Sequence, residues 1–334
     1  MKKLPGFTCM ALLVLGAASV RAETPPSSPP QAPASHARVK RLKVTVLSTM
    51  LTDLKGLGEW GFAALIEADG HRILFDTGAN PDTVLKNAPL LGVDLSTVTD
   101  VILSHNHGDH TGGLVTLRRE LAKKNPAALS RVHVGRGIFW SRVSASGKSG
   151  EGNSFLAARP RYEATGGKFI EHSEPVELFP GAWLTGPIPR VHPERNWSGK
   201  GKVQTPEGLV EDTLPEELAL VLDTEQGLVL VTGCAHAGVI NTLELARARV
   251  REAPVLAAIG GFHLFDADEK TLAWTGGKLR EMKLGYLSGA HCTGIEALHR
   301  LRELTGLERA TSIVGSVGSS FELGKGLEPL KIAR

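Results

Sequence analysis

The sequence predicts a mixed α/β fold of the α+β kind, with sheets packed together and helices outside. Three observations predict it. Short apolar strands dominate the first part of the folded chain. Strand, helix and strand alternate towards its end. The 334-residue chain is 42% hydrophobic, enough for a sizeable core.

The elements follow in order. Leu42, Val44 and Val46 alternate with Lys43 and Thr45, the period of a half-buried strand. Phe62 to Glu67 and Arg72 to Phe75 read as two strands joined by the hairpin turn Asp69-Gly70. Asn80-Pro81 is expected to open a helix, with Asn80 as cap and Pro81 at the first helical position. Asp100 to Ser104 is a short strand, and Leu114 to Lys124 a helix. Residues 141–205 are less regular, with a Gly/Ser-rich stretch from Ser144 to Ser154, and are expected to be an insert that shapes a substrate pocket. Leu218 to Asp223 and Leu228 to Thr232 form a hairpin around Glu225-Gln226-Gly227. A helix is expected over Asn241 to Arg251, then strand Val255 to Ile259, helix Lys270 to Met282, strand Leu284 to Leu287 and strand Ser312 to Val314.

The folded domain is expected to span 38–334. Residues 1–22 read as a secretory leader: Lys2 and Lys3, a short apolar run from Met10 to Val20, then Val20-Arg21-Ala22 as cleavage site. Residues 23–37, rich in Pro, Ser and Ala, read as a tether. A periplasmic or secreted location follows, with no membrane contact beyond the leader. The leader holds Lys2, Lys3 and Arg21 and no acid, so 38 − 3 = 35 basic residues then face 35 acidic ones. Net zero charge argues against nucleic acid as a partner; a small-molecule substrate is expected. Of three cysteines, Cys9 lies in the leader. Cys234 and Cys292 remain, and an oxidising compartment would allow them to pair.

Residues 73–79 read ILFDTGA, the form in which an aspartic protease presents its carboxylate. That chemistry needs two carboxylates sharing a proton. No second Asp-Thr-Gly or Asp-Ser-Gly exists; Leu222-Asp223-Thr224-Glu225 lacks the glycine. Asp76 therefore needs another role.

Residues 104–113 read SHNHGDHTGG, between a strand and a helix. His105 and His107 are two apart and face the same way on extended backbone, so both imidazoles can bind one ion. Gly108 is expected to permit a sharp turn, after which Asp109 and His110 can hold a second ion. Thr111-Gly112-Gly113 lets the backbone pack tightly. Imidazole and carboxylate ligands suit zinc, with iron or manganese as alternatives.

This stretch resembles the His-x-His-x-Asp-His signature of the metallo-β-lactamase superfamily. GLGEWGFAALIE (56–67), TGCAHAGVINTL (232–243), IGGFHL (259–264) and GAHCTG (289–294) resemble its branch of dihydropterin-aminobenzene ribofuranosyl phosphate synthase-like hydrolases. The resemblance implies an αββα sandwich with two divalent ions at one edge of the paired sheets. It implies that Asp76 braces the metal loop, and that His291 is the last metal ligand. His236 is expected as a further ligand, with Cys234 as its competitor, because no Asp stands where many relatives have a bridging one. His192 is an alternative third ligand of the first site. His263 is expected to contact the substrate or transition state, and Asp109 to orient a metal-bound hydroxide as well as to hold an ion. Cys292, His133, His172 and His299 are expected to be ordinary packing or surface residues. The implied activity is metal-dependent hydrolysis of an ester, lactone, lactam or phosphoester. A non-enzymatic metal- or ligand-binding protein on the same fold is the alternative, and a nuclease a third, disfavoured by the neutral charge.

Overall fold

The computed structural model describes Met1 and residues 37–53, 55–143, 150–194 and 201–333. Apart from Met1 and Ala37, the leader and the tether lie outside the described residues, as does much of the Ser144-to-Ser154 stretch. Among the described residues, all secondary structure belongs to the unit Ala37–Arg334.

Two large sheets form the centre. In the first, eight strands lie side by side in the order Gly326–Glu328, Ser320–Glu322, Leu42–Ser48, Ala63–Ala68, His71–Phe75, Asp100–Ile102, Arg131–Gly135 and Lys168–His172. In the second, seven strands follow the order Ser312–Val314, Tyr286–Gly289, Val255–Gly260, Gly227–Thr232, Leu220–Thr224, Ala182–Leu184 and Val176–Phe179. Val44, Val46, Ile66 and Phe75 of the first sheet share one apolar cluster with Leu220, Leu222, Val229 and Val231 of the second. That cluster is the seam between the sheets. Leu65 and Leu74, on the opposite face of the first sheet, pack on Val84, Leu114 and Leu117 from helices Thr83–Leu90 and Leu114–Ala122. Leu228 and Leu230, on the opposite face of the second, pack on helices Val239–Arg249, Glu269–Glu281 and Ile295–Thr305. The layers therefore run helix, sheet, sheet, helix. Strands Leu220–Thr224 and Gly227–Thr232 are buried at every position, because helices cover one face and the other sheet the second.

The Asp69-Gly70 hairpin forms as expected. Both residues have positive φ (48° and 93°), the conformation that a two-residue turn between twisted strands requires. The helix start differs. Asn80 does not cap it; its side chain donates to Glu59 Oε2 (2.8 Å), and the helix begins at Thr83 after Asp82. The Glu59 carboxylate accepts from both the Asn80 side-chain amide and the Asn80 backbone N–H (2.8 Å), which fixes the residue in the loop before the helix. Residues 141–205 are not one insert. Lys168–His172 belongs to the first sheet, and Val176–Phe179 and Ala182–Leu184 to the second. Arg142–Val143, Lys202–Thr205 and Gly208–Glu211 form a small sheet apart. Among the described residues no helix is long and apolar enough to cross a membrane.

Strands His71–Phe75 and Asp100–Ile102 run parallel, and so do Gly227–Thr232, Val255–Gly260 and Tyr286–Gly289. Their C-terminal ends lead to Asp76, His105, Cys234, His263 and His291. Carboxyl ends of parallel strands are where an α/β sheet leaves room for a ligand site.

Candidate metal centre

The signature loop is fixed from below by Asp76. Its carboxylate accepts hydrogen bonds from Ser104 N (2.8 Å), Ser104 Oγ (2.8 Å) and His110 Nδ1 (2.7 Å), all fully buried. His105 Nδ1 lies 2.9 Å from Ser104 Oγ. Since the serine proton goes to Asp76, His105 Nδ1 donates to Ser104. Both imidazoles thus carry their proton on Nδ1 and turn an Nε2 lone pair inward, as ligands must. Gly233 makes room for this brace: a Cβ there would lie 2.6 Å from Asp76 Oδ2.

Gly108 does not make the sharp turn expected of it. It begins the one-turn helix Gly108–Thr111, and a Cβ there would meet nothing. Gly112 and Gly113 do serve close packing; a Cβ on either would run into the carbonyl of Ala79 or Thr77. Thr77 N donates to His110 O (2.7 Å) and Phe62 N to Asp109 O (3.2 Å), which ties the loop to two strand ends.

Among the described residues, five sets of three donor atoms lie within 4.8 Å of one another, and two of these triads contain no cysteine. One is His105, His107 and His236; the other is Asp109, His110 and His291. His236 is held by Glu217, whose carboxylate accepts from His236 N (2.6 Å) and Ala237 N (2.5 Å). Cys234 sits between the triads, its sulfur 3.1 Å from His110 Nε2. It forms a third donor group with His105 and His110. His236 and Cys234 thus both reach the cluster, and neither displaces the other. Asp109 Oδ2 lies 3.2 Å from His291 Nε2 and 3.7 Å from His110 Nε2.

Four of the residues outside glycine with positive φ gather here: Asp76 (55°), Ala235 (52°), His263 (45°) and His291 (48°). Each such residue costs on the order of 1–3 kcal/mol. Strain of that size persists where the surrounding structure fixes a functional geometry.

The electrostatics suit a cation. Burial, then the neighbouring His110, His107, His236 and His291, push the His105 pKa well down. Burial outweighs the nearby Asp109 and brings His107 to about 4. These imidazoles are neutral at pH 7, the ligand form. For Asp109, burial favours the acid, but the hydrogen bond from His291 and the charges of His110, His291 and His107 hold it well below the usual carboxylate range. For His291, burial disfavours the charged form, yet the Asp109 carboxylate and the Cys292 sulfur raise it to about 9. The acid thus draws positive charge to the position a metal would fill. Buried His105 Nε2 and His291 Nδ1 have no hydrogen-bond partner. An orphaned inward nitrogen is costly without a ligand, so the donor set fits divalent ions.

His192 is not part of the cluster. Its Nε2 lies 2.9 Å from Glu244 Oε1, and Asn241 Oδ1 accepts from its backbone N–H (2.7 Å). His133 pairs with Asp100 (3.1 Å) and His172 (3.0 Å), and His299 is exposed on helix Ile295–Thr305. His263 is half-buried, its ring 4.4 Å from that of His236, and it lines a cleft with Glu194, Asp266, Lys270 and Trp274. Sequence reasoning missed Glu217, Glu59 and the aromatic lip. Glu59 accepts from Ser48 Oγ (2.6 Å), Ala79 N (3.0 Å) and Asn80 N (2.8 Å), fixing the loop that carries Trp60. Trp60 and Phe265 are each half-exposed, 5.8 Å apart edge to face, and Trp60 lies 4.9 Å from the His291 ring. The available signal for Glu217 was a pair of carboxylates entering an apolar strand, Glu216-Glu217-Leu218.

Residues 61–291 match the metallo-β-lactamase superfamily. The chain belongs to that superfamily. Its fold is thus the metallo-β-lactamase sandwich, a hydrolase-like fold whose members bind divalent metals. The chain is 31% identical over 254 residues to the 7,8-dihydropterin-6-methyl-4-(β-D-ribofuranosyl)-aminobenzene-5′-phosphate synthase of Methanocaldococcus jannaschii, covering 73% of this chain and 84% of that one. A solved metal-dependent hydrolase of the β-lactamase superfamily superposes with a TM-score of 0.67 at 25% identity, over 88% of this chain and all of its own. The metallo-β-lactamase fold protein YhfI of Bacillus subtilis, at 14% identity and a TM-score of 0.52, shares the fold over 85% of this chain and all of its own. The likeness to the synthase branch of the superfamily therefore extends well beyond four short motifs.

Proposed function

We propose that this member is a two-metal hydrolase of small esters, lactones, lactams or phosphoesters. The observation that carries the reading is the pair of donor triads, His105/His107/His236 and Asp109/His110/His291, at the shared edge of both sheets. Zinc suits these ligands, with iron or manganese as the alternatives. The ions, once bound, supply an activated water and polarise the bond to be cleaved. The chain supplies the rest. Asp109 stays ionised and partly exposed, so it can accept a hydrogen bond from the attacking water and orient it. His263 stands at the open side and can donate a proton to the leaving group. Trp60 and Phe265 offer an apolar edge to the part of the substrate that does not react.

The phosphate in the name of the methanogen relative supports keeping phosphoesters in the substrate class. The same relative is called a synthase, so bond formation belongs in the same assays. The basic, apolar and small-residue pattern of residues 1–22 supports export, which favours a substrate outside the cytoplasm.

The test is metal content by elemental analysis, then an ester, lactone, lactam and phosphoester screen. About two ions per chain and one class turned over, with both lost in His107→Ala, is the expected result. Full activity in His107→Ala would refute it. Two ions without any turnover would favour the metal-binding protein instead.

A further inference from the structure

Cys234 and Cys292 occupy a place that core packing does not explain. Cys234 follows strand Gly227–Thr232 and Cys292 follows strand Tyr286–Gly289. Strand Val255–Gly260 lies between these two in the sheet. The sulfurs nevertheless meet, 3.2 Å apart, beyond the end of the middle strand. Gly261 makes this possible, since a Cβ there would lie 2.8 Å from Cys292 Sγ. Both residues are buried, at 2% and 0% exposure, yet neither belongs to any of the three apolar clusters. Their neighbours are imidazoles. Donor atoms of Cys234, Cys292 and His291 all lie within 4.8 Å of one another, and those of Cys234, His236 and His263 do likewise. The thiols are free; 3.2 Å is far beyond the ~2.05 Å of a disulfide.

We infer that Cys234, Cys292 and His291 form a thiolate seat for a soft divalent ion. It deepens the two-metal reading and rests on it. His291 belongs both to this set and to Asp109/His110/His291. The second ion therefore has two candidate seats that share His291. The harder one offers carboxylate and imidazole, the softer one two sulfurs and imidazole. Zinc and cadmium favour sulfur, whereas manganese favours oxygen. Tetrahedral binding at a zinc–sulfur distance of ~2.3 Å places two sulfurs roughly 3.8 Å apart. The observed pair needs to open by only about half an ångström. Binding releases the thiol protons to solvent and involves no change of oxidation state. Cys292, which sequence reasoning left to packing, thus acts as a metal ligand that selects which ion the second site retains.

The experiment is zinc-edge X-ray absorption on the full chain, with elemental analysis of the same sample. The expected result is sulfur scattering at ~2.3 Å, with the sulfur count per zinc falling by about half in Cys292→Ser. A parallel titration of metal-free protein with cobalt should give a thiolate charge-transfer band that weakens in Cys292→Ser and survives in His105→Ala. Zinc bound at two ions per chain with no sulfur, or with one sulfur that Cys292→Ser leaves in place, overturns the inference and leaves the hydrolase reading intact. A Cys234–Cys292 disulfide found by mass in the metal-loaded protein also overturns it. No bound metal at all refutes both readings. The wild-type spectra decide the question even if the serine variant does not fold.

Discussion

Replacing Asp76 by Asn tests whether the metal site depends on a buried hydrogen-bond pattern rather than on its ligands alone. Asp76 Oδ1 accepts from Ser104 N, and Oδ2 from Ser104 Oγ and His110 Nδ1. Asn keeps the shape and the bond to Ser104 N. Its amide N–H₂ now faces Ser104 Oγ and His110 Nδ1. His110 must then accept at Nδ1 and carry its proton on Nε2, the atom that points at Cys234 and the donor cluster. A protonated Nε2 has no lone pair for a metal. Loss of such an outer partner costs roughly 10- to 100-fold in metal affinity, or about 1.4–2.7 kcal/mol. Asp76→Ala differs in kind. It leaves Ser104 N–H and His110 Nδ1–H buried without an acceptor, at about 1–3 kcal/mol each. The assay pairs metal competition against a chromophoric chelator with urea unfolding of chelator-treated protein. The expected pattern is weak binding with near-normal stability for Asn, and about 2–6 kcal/mol of lost stability for Ala. An Asn variant that binds two ions with wild-type affinity would refute the reasoning.

Other perturbations separate the parts of the site. His236→Ala is expected to fold and to lose about one ion per chain by elemental analysis; unchanged metal content would remove His236 from the ligand set. Stripping metal with a chelator should lower Tm by several degrees, since ligand at 100 times its Kd contributes about 2.7 kcal/mol, and added zinc should restore it. Trp60→Ala should raise KM for a p-nitrophenyl ester or phosphoester about 2- to 10-fold at nearly constant kcat, the worth of one aromatic contact; equal KM values would show that the lip does not touch the substrate. Glu194 is buried against the start of helix Val239–Arg249, accepting from Asn241 N (2.8 Å), and burial raises it from 4.5 to about 7. A raised carboxylate binds its proton more tightly in the folded state. Its contribution is fully present below about 4.5 and is lost as pH rises through about 7. Glu194→Gln should therefore flatten the fall of stability over that window. Glu216 and Glu217 are raised to the same range, so the slope should persist in part. Superimposable pH profiles would sink this account.

The signature SHNHGDHTGG was legible because its donors are local. His105, His107, Asp109 and His110 sit within six positions, and their period places them on one loop between a strand and a helix. The strands around it were legible for a similar reason: alternation at Leu42 to Val46, and the turn chemistry of Asp69-Gly70, act over a few residues. The lack of a second Asp-Thr-Gly showed only that Asp76 needs a role other than protease chemistry; its bracing role was implied by the resemblance to the superfamily.

Sequence could not choose among His192, His236 and Cys234, because that choice depends on how two sheets meet. Only packing of the sheets through Phe75, Val229 and their neighbours brings the end of strand Gly227–Thr232 against the signature loop. The same packing sends His192 to Glu244 instead. Asn80 illustrates the point in miniature. Its local preference is to cap a helix, but a buried carboxylate twenty-one residues away claims its amide. The strands Ser320–Glu322 and Gly326–Glu328 are three residues each and join the first sheet beside Leu42–Ser48, nearly three hundred residues earlier, so no local pattern announced them. The sequence by itself determined the layered class, the donor types and the first four candidate donors, since these rest on short-range spacing. The tertiary structure decided which distant donors complete the cluster, that Glu217 and Glu59 hold its outer loops, and that two sulfurs meet over Gly261. Those outcomes are set by contacts between strands far apart in the chain, and only the closed sandwich makes them.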